Sequence, residues 1–141
     1  MCASREYVHE VLGGTDIILG VESAAEYWGI SDGSVTNNIF VMVQRGSDVK
    51  LPNNPDVKPV FIDYEPEVTL VERNGTKVYV TTPNQTIIDM LRNNRDEQAI
   101  LESLFNYYCE HGGGYDGLEV PDDIKGTFDE LKDDAIHYLD D

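Results

Sequence analysis

Basic residues are scarce in this 141-residue chain: ten lysines and arginines stand against 27 aspartates and glutamates, a formal charge of −17 at pH 7. A field of that sign repels phosphate backbones, so direct binding of DNA or RNA is not expected. The same field attracts basic surfaces, including those with which other proteins hold RNA or nucleotides. Cysteine is rarer still. Cys2 and Cys109 are far apart and belong to no CxxC pair or zinc spacing, so both read as free thiols. Long hydrophobic runs are missing too: Ile39 to Val43 and Val60 to Ile62 fall far short of the ~20 residues that span a bilayer. The opening MCASREYVHEV carries charge early and no continuous apolar segment. It does not read as a secretory signal, and the cytoplasm is the expected compartment.

What is present is enough for one core. Apolar residues make up 40% and aromatics 9%, outside the regime in which chains stay disordered, and the length is that of one domain spanning 1–141. Ser4 to Leu12 has helical apolar spacing stopped by Gly13-Gly14, and Glu22 to Gly29 places Ala24, Ala25 and Trp28 on one helical face. Asp16 to Val21 between them reads as a short strand or an extended entry. NNIFVMVQ at 37–44 is β-branched, apolar and bounded by turn residues, the pattern of a buried strand. Three prolines make 51–59 a loop before a second strand at 60–64. Val68 to Glu72 and Lys77 to Thr81 flank Asn74-Gly75, which predicts a hairpin with a type I′ turn. Thr82, Pro83 and Gln85 have the layout of a capping box, and Asp96 caps a longer helix that ends at Gly112-Gly113-Gly114, a flexible joint. From Pro121, the spacing of Ile124, Phe128, Leu131, Ala135, Ile136 and Leu139 predicts an amphipathic helix over about 121–139. The expected fold is α+β: a small antiparallel sheet from 37 to 81 with a central hairpin, covered by N-terminal and C-terminal helices.

Motifs for chemistry are sparse. His9, His111 and His137 lie on three different predicted helices with no partner at metal-ligand spacing, so neither metal nor cofactor is expected. No GxSxG elbow, P-loop or GxGxxG is present, and GGG at 112–114 follows a helix instead of joining strand to helix. Asp122-Asp123 and Asp133-Asp134 are adjacent pairs, which on a helix diverge into a solvated face. Tyr107-Tyr108, Tyr115 and Tyr27-Trp28 are not interleaved with lysine or arginine, so they read as core or interface residues and not as base-stacking platforms. No enzyme activity and no small-molecule substrate follow from this pattern.

Three segments, ESAAEYWGIS at 22–31, NNIFVMVQRG at 37–46 and TPNQTIIDMLRN at 82–93, together resemble the AbiEi antitoxin family. There a small-residue helix ending in an apolar-Gly-apolar step precedes a strand, and a later helix opens with a motif of the type ERTI-x-DL. Thr86-Ile87-Ile88-Asp89-Met90-Leu91 matches its TI-x-DL part, while Gln85 stands in place of the arginine, Asn84 in place of the acid and Gln44 in place of a frequent proline. The resemblance covers roughly residues 22–110, and the family's winged-helix DNA-binding domain has no counterpart before it, so autoregulation of transcription is not expected. The resemblance implies a bacterial, phage-defence type of toxin–antitoxin pair with a nucleotidyltransferase-like toxin.

The acidity is concentrated: Asp116 to Asp141 holds ten acidic residues against Lys125 and Lys132, or −8 of the −17. That charge complements a basic groove for tRNA or triphosphate, in a nucleotidyltransferase or in an RNA-pyrophosphorylating toxin of the small alarmone synthetase kind. The expected contact residues are Asp122, Asp123, Asp129, Glu130, Asp133 and Asp134, with Tyr115 and Phe128 as aromatic anchors. Anchors are needed because an exposed ion pair contributes only about 0.2–1 kcal/mol. Asp89 and Thr86 read as structural, closing a helix start. The alternative is an acidic mimic of nucleic acid that inhibits a nuclease or a DNA-binding protein, with its charge spread along one long face.

Overall fold

The computed structural model describes residues 4–31 and 36–138. Five helices and five strands are formed among them. Helix α1 (Arg5–Leu12) is capped by Ser4, whose side chain accepts from the Tyr7 N–H. A two-residue strand β1 (Ile18–Leu19) leads into α2 (Val21–Trp28), which Gly29 ends in the left-handed conformation. Gly20 at this junction packs against β2: a Cβ there would lie 2.3 Å from Met42 Cγ. Strands β2 (Ile39–Gln44), β3 (Val57–Ile62), β4 (Val68–Arg73) and β5 (Thr76–Thr81) follow. The β4–β5 turn places Asn74 at φ 52 and Gly75 at φ 82, the type I′ conformation that Asn-Gly favours. Helices α3 (Pro83–Arg92) and α4 (Glu97–Glu110) are capped by Thr82 and Asp96, and a 3₁₀ turn at Asp122–Ile124 opens α5 (Lys125–Ile136). Leu139, the last position of the expected apolar stripe, lies outside the described residues.

The α+β class is as the sequence predicts, but the sheet is mixed and not antiparallel. Its order is β3-β2-β1-β5-β4, with β2–β3 and β1–β5 parallel and β1–β2 and β4–β5 antiparallel. A period-two pattern fixes which face a side chain takes and says nothing about strand direction. The connection from Arg45 to Asp56 is roughly the dozen residues that a parallel crossover needs. Strand β3 also begins earlier than its prolines suggest and carries Pro59 at the sheet's edge, where a missing N–H is tolerated.

Burial falls on both faces of β2, which explains its unbroken apolar run. Ile39, Val41 and Val43 join Val78, Val80, Leu19 and the α1 residues Val8 and Leu12 in one cluster. Met42 faces the other way, into a cluster with Val60, Ile62 and residues of α2, α3, α4 and α5. The C-terminal segment therefore belongs to the core through Leu118, Ile124, Phe128 and Ala135. The Gly112–Gly114 stretch, expected as a flexible joint, is a tight turn held at both ends. Gly112 and Gly113 take φ 70 and 91, His111 stacks on Tyr107 at 3.7 Å, and the Tyr107 hydroxyl donates to the Asp116 carbonyl.

Candidate partner interface

The 3₁₀ turn and α5 have two unlike sides. Ile124, Phe128 and Ala135 are buried against the rest of the fold, and Leu131 packs beside them. Asp122, Asp123, Asp129, Glu130, Asp133 and Asp134 are all exposed, as the amphipathic pattern predicts. Two of these carboxylates are already engaged. Asp123 pairs with Arg92 of α3, which holds its carboxyl below the ordinary range, and Asp129 pairs with Lys132 one turn along at 3.0 Å. Asp122, Glu130, Asp133 and Asp134 form no ion pair among the described residues.

The two aromatic residues expected as anchors are placed otherwise. Phe128 is 8% exposed and sits in the core, so it is not available to a partner. Tyr115 is half-buried, meets the Phe128 ring edge-on at 5.3 Å, and donates its hydroxyl to the Lys132 carbonyl at 3.1 Å. Burial, reinforced by the neighbouring Asp133 charge, pushes the Tyr115 hydroxyl up to about 12. Helical spacing marks a residue as facing one side, and here that side is the protein's own interior. Both rings brace α5 from within.

A mixed cleft opens where α5 meets the α3–α4 corner. Its volume is about 210 Å³, with Leu91, Ile100 and Leu131 as apolar lining and Glu97 and Glu130 among its carboxylates. Arg95 also borders it, but that guanidinium is committed to Glu22 through bonds of 2.8 and 3.0 Å and lies 4.7 Å from the Phe40 ring centroid. Nothing in the sequence marks this cleft, because its walls come from three separate elements.

Beneath this surface lies the polar cluster that carries the TI-x-DL motif. Asp89 is wholly buried; its Oδ1 accepts from the Tyr64 hydroxyl at 2.6 Å and from Gln85 Nε2 at 2.7 Å, while Oδ2 has no hydrogen-bond partner. Burial pushes the Asp89 carboxyl up to about 6, against the pull of those donors and of Arg92. Asn93 Nδ2 donates to the Tyr64 hydroxyl at 3.0 Å, and the Arg92 guanidinium lies over the Tyr64 ring at 4.7 Å. Asp89 is thus bonded within the interior and does not close a helix start. Thr82 does that, and Thr86 adds bonds back to the Thr82 carbonyl at 2.8 Å and the Thr81 hydroxyl at 2.7 Å. The capping box is only half formed: the Gln85 side chain turns from Thr82 to accept the Glu67 N–H at 3.0 Å. Tyr64 and Arg92 are the members of this cluster that carried no sequence signal, since each gains its role only from partners distant in the chain.

Among the described residues no group of three or more His, Cys, Asp or Glu is placed to hold a metal, and no helix is long and apolar enough to cross a membrane. His9 is buried between the Tyr27 hydroxyl at 2.7 Å and Thr76 Oγ1 at 2.9 Å, and Cys109 is exposed. Neither any family model nor any curated protein matches the chain.

Proposed function

We propose that this protein is an antitoxin that neutralises a toxin by direct contact, using the exposed carboxylates of the 3₁₀ turn and α5 to occupy the toxin's basic nucleotide- or tRNA-binding groove. One observation carries the reading: among the described residues Asp122, Glu130, Asp133 and Asp134 form no ion pair, and they stand on a segment whose other side is locked into the core by Phe128 and Ala135. A preorganised acidic face loses little order on binding and steers a basic partner toward it. The resemblance to AbiEi antitoxins and the charge of −17 point the same way.

Affinity needs more than exposed charge, and the cleft beside Glu130 supplies a place for it. An arginine or lysine from the toxin lays its aliphatic stem on Leu91, Ile100 and Leu131 and brings its cation to Glu97 and Glu130. The anchoring side chain therefore comes from the toxin, and not from Tyr115 or Phe128. The toxin is a nucleotidyltransferase or an RNA-pyrophosphorylating enzyme, whose natural ligands carry phosphates at the positions these carboxylates take.

The test is co-expression with such toxins, reading growth and recovery of a complex. Deleting everything after Gly114 is a poor test, since it strips Ile124, Phe128 and Ala135 from the core. The informative variant is the fourfold neutral one, Asp122→Asn, Glu130→Gln, Asp133→Asn and Asp134→Asn. Rescue by the native chain and its loss in a variant that still folds supports the reading. Rescue that survives neutralisation overturns it.

A further inference from the structure

A second surface, independent of the α5 reading, lies at the far edge of the sheet. Strand β4 has β5 on one side and, among the described residues, no strand on the other. Its bonding phase is fixed: Thr82 N donates to the Glu67 carbonyl at 3.1 Å, so by the alternation of an antiparallel ladder Glu67, Thr69, Val71 and Arg73 bond toward β5. The N–H and C=O groups of Val68, Leu70 and Glu72 point outward. Leu70 is 48% exposed and stands opposite Tyr79 on the same face.

The two edges of this sheet are not alike. The other edge, β3, carries Lys58 and Pro59, residues that discourage strand addition. Strand β4 reads VTLVER, with neither lysine nor proline. At its start Glu67 opens onto a groove of about 250 Å³ that also holds Glu119, Gln85 and Ile88. Across the strand's other end Lys77 faces Glu72, so the unbalanced charge along the edge is the pair Glu67 and Glu119.

We propose that the β4 edge is a docking site for an extended segment of a basic partner protein, which adds to the sheet as a sixth strand. The segment's backbone pairs with the outward groups of Val68, Leu70 and Glu72, an apolar side chain covers Leu70 and Tyr79, and a lysine or arginine enters the groove at Glu67 and Glu119. A second copy of this chain is a poor occupant, because it brings a further −17 of like charge to the same edge.

The test uses the full chain, isotopically labelled, and a synthetic peptide of about eight alternating lysines and valines, the length of an ordinary strand. In the free protein the amides of Leu70 and Glu72 exchange fast and those of Thr69 and Val71 slowly. Peptide addition slows exchange at Leu70 and Glu72 at least tenfold. An all-lysine peptide of equal charge does not. Leu70→Pro removes an outward donor and no hydrogen bond to β5, and abolishes the protection at Glu72; circular dichroism reports whether that variant folds, and Leu70→Lys, which keeps every backbone bond, weakens peptide binding at least tenfold. Binding without protection of these amides overturns the proposal, as does binding unchanged by either variant. A free protein that sediments as a dimer, and as a monomer once Leu70 is replaced, also overturns it, with the second copy as the occupant. No toxin enters this experiment, so its outcome is separate from that of the antitoxin test.

Discussion

Arg92 grips Asp123 through two hydrogen bonds of 3.2 Å, Nε to Oδ2 and Nη2 to Oδ1, while the same guanidinium covers the ring of Tyr64. One side chain of α3 thereby ties the β3–β4 connection to the start of the acidic segment. Removing it with Arg92→Met keeps the stem and loses both interactions. Global stability falls only slightly, because the pair is partly exposed. Amide exchange between Leu118 and Phe128 quickens severalfold, and an unchanged exchange pattern would show that the apolar contacts hold the segment without help.

Asp89 sets a pH dependence of unusual sign for a carboxylate. Its folded value of about 6 lies above the ordinary 3.8, so the native chain binds the extra proton and stability falls as pH rises through that window. The cost of keeping the charged form buried at neutral pH is roughly 3 kcal/mol. Asp89→Asn keeps the Oδ1 acceptor for Tyr64 and Gln85 and removes the titration. Urea midpoints of this variant between pH 4 and pH 7 are expected to lose the fall with rising pH that Asp89 contributes, leaving the opposite trend of His9 uncompensated. A slope identical to the native one would refute the assignment.

His9 works in the opposite direction. Burial lowers its value from the ordinary 6.5, so as pH falls the unfolded chain takes up the proton first and stability is lost from about pH 6.5 downward. His9→Gln keeps hydrogen-bonding groups for Tyr27 and Thr76 and abolishes this loss. The melting temperatures of the two single variants across pH 4 to 7 separate the His9 effect from that of Asp89, which otherwise partly cancel.

Phe128 is a core residue, and its replacement is expected to behave as one. Phe128→Ala opens a cavity beside Tyr115 at a cost of roughly 3–5 kcal/mol, measured by urea denaturation. Replacing the exposed Asp134 by Asn changes stability by under about 0.5 kcal/mol. The reverse ordering would mean that Phe128 faces solvent.

Local features of this protein were determined by the sequence itself. Ser4, Thr82 and Asp96 cap α1, α3 and α4, Gly29 closes α2, and Asn74-Gly75 turns the hairpin, because each acts on backbone groups within a few residues. The acidic outer face of α5 belongs with these, since helical spacing alone separates Asp133 and Asp134 from Ala135. Only the tertiary structure decided the parallel pairing of β2 with β3, the inward placement of Phe128, and the burial of Asp89 under Tyr64. Each depends on which distant segments meet, and a pattern of apolar spacing says that a side chain will be covered without saying by what.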